Sequence, residues 1–355
     1  MGGMRKLIKL VSAVVVALLI VAVGLIGYLT ITEYRPQEVE ALDLNLAARQ
    51  EAPSVGNKYT LVSWNLGYAC LGRDQNFFMD GGTMVRPDKA QTVEENLSGI
   101  LSALSLQKAD VYLLQEVDRN SRRSHYIDQT RALRHGLSLT SAYAQNYKCD
   151  FVPFPWPVIG KVDSGLMTLS GLKINEAARE SLPVSFTWPV RVANLKRCLL
   201  VERIPVLGSE HELVIINLHL EAFDDGAGKK EQTQRLMEIL EAEYRNGNYV
   251  IAGGDFNQRF PGTITDYPQR NEAFWQPGQL LEEDLPQGFA YVFDSSVPTC
   301  RSVHKEYDGD RQNGQFYVID GFILSPNVKV NHVETVDLNF LYSDHQPIRL
   351  EFTLI

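Results

Sequence analysis

At 355 residues, with 45% hydrophobic and 22% charged positions, the chain has the composition of a globular protein that buries a core of its own. That excludes a disordered chain and a small scaffold held by disulfides or metals. The first 32 residues hold Arg5, Lys6 and Lys9 and no acid, leaving 31 bases against 43 acids, a formal charge of −12, for the remainder. This balance argues against non-specific attraction to nucleic acid as the main binding force, although a local basic groove stays open.

Leu10 to Ile31 is apolar almost throughout, and its 22 residues match the roughly 20 that cross a bilayer as a helix. A cleaved signal has a shorter apolar core and a small-x-small exit. This run continues through Leu25, Ile26 and Tyr28, so an uncleaved signal anchor over 10–31 is preferred and a cleaved signal is the alternative. Bases precede the run, while Glu33, Glu38, Glu40 and Asp43 follow it. Lys and Arg stay cytoplasmic, which puts residues 1–9 inside and everything after the single pass outside the cytoplasmic membrane. Residues 32–57 are polar and weakly periodic, with Pro36 and Pro53, and are expected to be a linker to a domain over 58–355.

Tyr59 to Asn65 reads as a strand, followed by an irregular loop with Phe77, Phe78 and Met79. Val93, Leu97, Ile100, Leu101 and Leu104 have helical spacing within 88–108. Val111 to Val117 is a second strand, and Gly136 to Pro157 is expected to be mostly loop. Gly165–Ser170 and Leu199–Arg203 are short strand candidates, and Leu213–Leu220 is a strong one. Lys229 to Arg245 is an amphipathic helix that stops at Asn246-Gly247, a C-cap signal. It feeds the apolar strand Tyr249-Val-Ile-Ala252, which breaks at Gly253-Gly254. Phe316–Leu324 and Ile348–Ile355 are the last strands. Two long helical crossovers among many strands indicate an α/β protein with mixed sheets. Cys70, Cys149, Cys198 and Cys300 stand far apart with no Cys-x-x-Cys, so zinc is disfavoured. Buried free thiols are preferred over one or two disulfides.

Polar groups gather where the apolar patterns stop: Asn65, Gln115-Glu116, Asn217 with His219, Asp255 with Asn257, and Asp344-His345. Along extended backbone, residues i and i+2 face the same way, so Asp255 and Asn257 address one spot. Alone, that stretch reads equally well as an Asx turn, Glu116 as a solvated strand end, and His219 as a satisfied core histidine. Five such ends are hard to reconcile with chance, because unpartnered buried charge is costly. Asn65, Glu116 and Asp344 offer only oxygen ligands, the preference of Mg²⁺ or Ca²⁺. Cation, carboxylate, amide and imidazoles together suit attack of water on phosphorus.

In these motifs the chain resembles the endonuclease/exonuclease/phosphatase superfamily, which includes deoxyribonuclease I, neutral sphingomyelinases and inositol polyphosphate 5-phosphatases. The matching stretches run in the family's order: Ser-Trp-Asn65, Leu-Leu-Gln-Glu116, Asn-Leu-His219, Gly-Gly-Asp255-Phe-Asn257, Val-Ile-Asp320-Gly-Phe-Ile and Ser-Asp344-His345-Gln-Pro347. The resemblance implies a four-layer α/β/β/α sandwich of two mixed sheets flanked by helices. It implies Glu116 as principal ligand of Mg²⁺ (Mn²⁺ or Ca²⁺ as substitutes), with Asn65 and Asp344 beside it. Asp255 would activate the attacking water, Asn257 would hold that water or a phosphoryl oxygen, and His345 would contact the phosphate, held by Asp320. His219 is shared with the deoxyribonuclease I, sphingomyelinase and 5-phosphatase branches and not with the exonuclease III type. Two departures stand out. Gly165–Ser170 lacks the arginine often found after its serine, and Tyr317-Val-Ile-Asp320 replaces the Trp-Cys-Asp-Arg signature of the 5-phosphatases.

The expected function is a metal-dependent phosphodiesterase acting on a phospholipid or small phosphoester, with an extracytoplasmic nuclease as the alternative. A catalytically silent binding protein would have lost a ligand or the Asp255/His345 pair, and neither is lost. Arg122, Arg123 and His125, just beyond Glu116, are expected in a solvated loop, with receipt of a phosphate or head group as the alternative, and Lys196 and Arg197 are expected at the surface. The aromatic stretches 77–82 and 151–157 either rim the pocket or pack as loops.

Overall fold

In the strands that carry the motifs, odd-numbered residues face one apolar layer and even-numbered residues another. Leu61, Val111, Leu113, Leu213, Ile215, Tyr249 and Ile251 share one buried cluster. Val62, Trp64, Tyr112 and Leu114 belong to a second cluster, and Val214, Ile216, Val250 and Ala252 to a third. A strand buried on both faces must sit between two layers. The chain is described here by a computed structural model that covers every residue except 1, 225, 272 and 273.

A six-stranded sheet runs in the order Val328–Thr335, Ile348–Leu354, Lys58–Asn65, Val111–Asp118, Gly160–Ser170, Thr140–Val152. A seven-stranded sheet runs Val39–Ala41, Glu176–Ser181, Cys198–Pro205, Glu212–His219, Tyr249–Asp255, Asp320–Leu324, Ala290–Val292. Each large sheet contains one parallel pair, and such a pair needs a crossover. Helix Ala90–Gln107 supplies it in the first sheet and helix Ala227–Arg245 in the second. Val93, Leu97, Ile100 and Leu104 of the first helix cover Trp64 and Leu114, while Leu236, Ile239 and Leu240 of the second cover Ile216 and Val250. The result is the expected four-layer sandwich, with the sheets meeting over the odd-numbered residues.

Several local expectations fail. The region around 136–157 is a helix, Gln129–Leu137, followed by a 13-residue edge strand, Thr140–Val152. Gln145, Asn146, Lys148 and Asp150 interrupt its apolar pattern, and two register shifts against its neighbour break the period. Strands Glu176–Ser181 and Val328–Thr335 lie beside single partners or short edges, so their polar faces hide them. Phe316–Leu324 is two pieces, Phe316–Tyr317 and Asp320–Leu324.

Residues 32–57, expected as a linker, run along the domain. Val39–Ala41 pairs with Ala178–Glu180, and single bridges join Asn45 to Ser141, Glu51 to Leu172 and Ser54 to Leu207. Helix Gly2–Ile31 is long and apolar enough to cross a membrane and is exposed through Gly24. Its last turns dock on the domain. Leu29 is buried with Tyr147, Val152, Val162 and Val192. Tyr28 Oη donates to Asp150 (2.9 Å), Trp188 Nε1 to Thr30 Oγ1 (3.1 Å), and Glu33 accepts from Arg191 (2.9 Å). All four cysteines are buried free thiols, as preferred from the sequence.

Candidate active site

The odd-numbered face that forms the inter-sheet core turns polar at one end. After Leu61 come Ser63 and Asn65; after Leu113, Gln115; after Ile215, Asn217 and His219; after Ile251, Gly253 and Asp255. The polar face therefore has two tiers. In the inner one, Gln115 Nε2 donates to Ser63 Oγ (3.2 Å) and Asn217 Oδ1 (2.9 Å), and Asn217 Nδ2 donates to Leu114 O and Met167 O. This network ties the two sheets together, so Asn217 is structural. The outer tier holds Asn65, His219 and Asp255, with Asp320 opposite Asp255 in the strand register.

Glu116 has the wrong parity for this face. The pairing of Val111–Asp118 with Gly160–Ser170 shifts between Leu114 and Val117, and Glu116 has φ 55°. A bulge re-aims a side chain in this way, and here it turns the carboxylate into the cleft. Asn257 also has positive φ (51°), which lets the chain fold back so that its N–H bonds Asp255 Oδ1 (2.8 Å). Its side-chain nitrogen donates to Leu220 O (2.9 Å), leaving one amide hydrogen for a ligand. Gly67 has φ 50°, and a Cβ there would stand 2.8 Å from Asp344 Oδ1.

Asp255 Oδ2 is the point of convergence. Asn65 Nδ2 donates to it at 2.9 Å, His219 Nε2 lies 3.4 Å away and His345 Nε2 3.8 Å away. His345 Nδ1 meets Asp320 Oδ2 at 2.9 Å. Burial alone disfavours the imidazolium, but the charges of Asp320 and Asp255 hold His345 well above its ordinary range. Burial, then the charges of Arg197 and His345, press His219 well below its range, so it is the neutral member of the pair. Burial, aided by the Asp320 charge, pushes Asp255 up to about 6.

Glu116 and Asp344 form a second acidic pair. Burial lifts both, Asp255 adding to the effect at Glu116, and Glu116 helping to push Asp344 up to about 7. Among the described residues no hydrogen bond or ion pair reaches the Glu116 carboxylate, and the Asp344 carboxylate accepts only a long bond from Ser343 Oγ (3.3 Å). A half-buried and a buried acid repelling each other with so few donors fit a hard cation, with Asn65 adjacent through Gly67, whose N–H bonds Asn65 Oδ1 (3.0 Å). Asp255, Asp320 and His345 are also close enough to share a cation. The His345–Asp320 hydrogen bond occupies that imidazole nitrogen, so we read them as an acid–imidazole pair.

Asn65, Glu116, His219, Asp255, Asp344 and His345 line a cavity of about 630 Å³, with Asp320 behind His345. Away from them its walls are aromatic and aliphatic, including Phe77, Phe78, Phe154, Phe223 and Trp275. A larger pocket of about 920 Å³ lies at the other end of the strands, by Lys58, Tyr59 and Asp110, and gathers no such set of acids and imidazoles.

The profile of the Endonuclease/Exonuclease/phosphatase family matches residues 62–345, most of the chain. The chain belongs to this family. Similar solved structures include a family protein from Beutenbergia cavernae, at 18% identity over 84% of this chain and 72% of that one, TM-score 0.57. Others are family proteins from Leptotrichia buccalis (16%, 82% and 98% covered, TM-score 0.54) and Bacteroides vulgatus (13%, 84% and 100%, TM-score 0.52). At these identities they bear on the fold alone. A search of curated proteins returns no match. Members of the endonuclease/exonuclease/phosphatase family are hydrolases of phosphoesters and generally use divalent metal ions.

Three arginines of this family member were not legible as site residues. Arg123, expected in solvent, is mostly covered, its side chain 12% exposed: it grips Asp118 with two hydrogen bonds (3.1 and 3.0 Å) and lies 3.6 Å over the Tyr68 ring. Arg197, expected at the surface, is 4% exposed, and Lys196 beside it is 6% exposed and bonds Arg191 O and Glu33. Arg301 donates from Nη2 to Gly72 O (2.8 Å) and from Nη1 to Lys305 O (3.2 Å). All three line the cavity and bring positive charge to the acids. Their chain neighbours give no periodic signal for this; only Arg123, seven residues past Glu116, stood near a motif.

Proposed function

We propose that the chain is a Mg²⁺-dependent phosphodiesterase whose substrate is a phospholipid, held by its N-terminal helix with the catalytic domain outside the cytoplasmic membrane. The observation that carries this reading is the cavity itself, with acids, amides and imidazoles at one end and apolar walls around the rest. A phosphate between a polar headgroup and acyl chains matches that division.

Glu116 and Asp344, with Asn65 beside them, hold the cation, and a bound Mg²⁺ supplies charge neutralisation at the phosphoryl oxygens. Asp255 accepts the proton of the attacking water at Oδ2, where Asn65 and His219 fix the carboxylate. Asn257 orients that water or a phosphoryl oxygen with its remaining amide hydrogen. His345, kept cationic by Asp320, balances the charge that grows on phosphorus-bound oxygen.

The test is hydrolysis of a soluble chromogenic phosphodiester by the full chain with Mg²⁺, with EDTA, and in Glu116→Ala and His345→Ala. Activity that persists through both substitutions removes the site assignment. A panel of phospholipid vesicles, single- and double-stranded DNA, and sugar phosphates then sorts substrates. Preference for DNA, with a rate that falls steeply with salt, replaces the lipid reading by a nuclease.

A further inference from the structure

The far end of the catalytic cavity is formed by the N-terminal helix. Ile26 and Leu29 belong to the same lining as Glu116, Asp255 and His345. A helix rises 1.5 Å per residue, so the apolar run Leu10–Ile31 is about 33 Å long, close to the hydrocarbon thickness of a bilayer. With that run spanning the bilayer, Ile31 stands at the hydrocarbon boundary and Ile26 about 8 Å beneath it. A cavity wall at that depth lies among acyl chains.

The loops beside the helix agree. Phe154 is 70% exposed, Trp156 90%, Trp188 56% and Val190 57%. They are not scattered. Phe154, Pro189 and Val190 share the cavity lining with Ile26 and Leu29, and Trp188 donates to Thr30, one residue before the apolar run ends. Tryptophans at this level are the signature of a membrane–water interface. The opposite, inner end of the cavity carries the charges.

We propose that the catalytic cleft opens sideways into the leaflet where the helix ends. The loops around Phe154–Trp156 and Trp188–Val190 sit in the interface, and a bilayer-resident lipid phosphoester enters past Ile26 and Leu29 without leaving the membrane. The helix is then a wall of the substrate site as well as an anchor. For its chemistry this proposal rests on the phosphodiesterase reading above; for its geometry it does not.

The experiment uses the full chain in nanodiscs of phosphatidylcholine, plain or brominated in the upper acyl chain, and reads tryptophan emission. Trp156 and Trp188 are two of only four tryptophans, so emission should fall by about a third in brominated discs. The double substitution Trp156→Phe and Trp188→Phe should remove most of that difference, leaving only what a chain inside the cavity takes from Trp275. Equal emission in the two discs overturns the proposal, as does a difference that the double substitution leaves undiminished. Since fluorescence needs no turnover, its outcome is separate from a failure of the enzyme reading. In phospholipid vesicles, Trp156→Ser with Trp188→Ser should lower hydrolysis of the bilayer lipid by about tenfold. An unchanged rate also overturns the proposal.

Discussion

Replacing Glu202 by Gln should make the protein more stable at pH 8 and leave it no more stable at pH 5. Glu202 lies on the inter-sheet face between Leu200 and Ile204 and has no exposed surface. Among the described residues neither carboxylate oxygen has a hydrogen-bond partner; the Thr168 hydroxyl is close enough to ease a charge without forming a good bond. Burial therefore holds the carboxyl well above its ordinary value of 4.5, Thr168 offsetting only a little. The sign follows. The fold keeps a proton that the unfolded chain sheds, so stability is greatest below the unfolded pKa and declines as pH rises toward the folded one. Each pH unit in that window costs about 1.4 kcal/mol, or about 2 °C in Tm for a domain of this size. Glutamine keeps the shape and removes the titration. Thermal unfolding of both proteins in the same detergent, from pH 5 to 8, isolates this one group because other titrations cancel in the difference. A difference in Tm that stays constant with pH would refute the reasoning.

Asp320→Asn leaves the fold in place but ends the charge pairing at His345 Nδ1; kcat should fall roughly 100-fold with KM little changed, measured on a soluble diester. Asn217→Ala removes the amide that joins Gln115 to Leu114 O and Met167 O, and stability should drop by about 1–3 kcal/mol in chemical denaturation. Gly67→Ala places a methyl 2.8 Å from Asp344 Oδ1 in a backbone conformation that resists it, so Mg²⁺ affinity by calorimetry should weaken severalfold.

The layered fold was legible because each motif strand carries an unbroken apolar run and two helices have clear periodicity. The outer tier of the site was legible because polar residues at Asn65, His219 and Asp255 end those runs on the same parity. Asp320 was accessible only through family resemblance: it opens a strand after Ile319, and nothing local distinguishes it from a turn. Arg123 and Arg197 were misread because an arginine beside another base in a loop looks the same whether solvent or a buried carboxylate meets it. The edge strand Thr140–Val152 was missed for a related reason, since its polar residues and register shifts erase the alternation that would reveal it.

The two parallel pairs have a consequence for assembly. Strand, crossover helix and strand form one unit over 58–118, which presents Asn65 and Glu116, and another over 212–255, which presents His219 and Asp255. Neither unit holds a complete set of groups. The site comes into being only when the two sheets dock, and the Asn65–Asp255 hydrogen bond crosses that seam. A ligand bridging the seam binds only the docked state, so by mass action it fastens the halves together, and occupancy of the site becomes a direct gauge of whether the sandwich is closed.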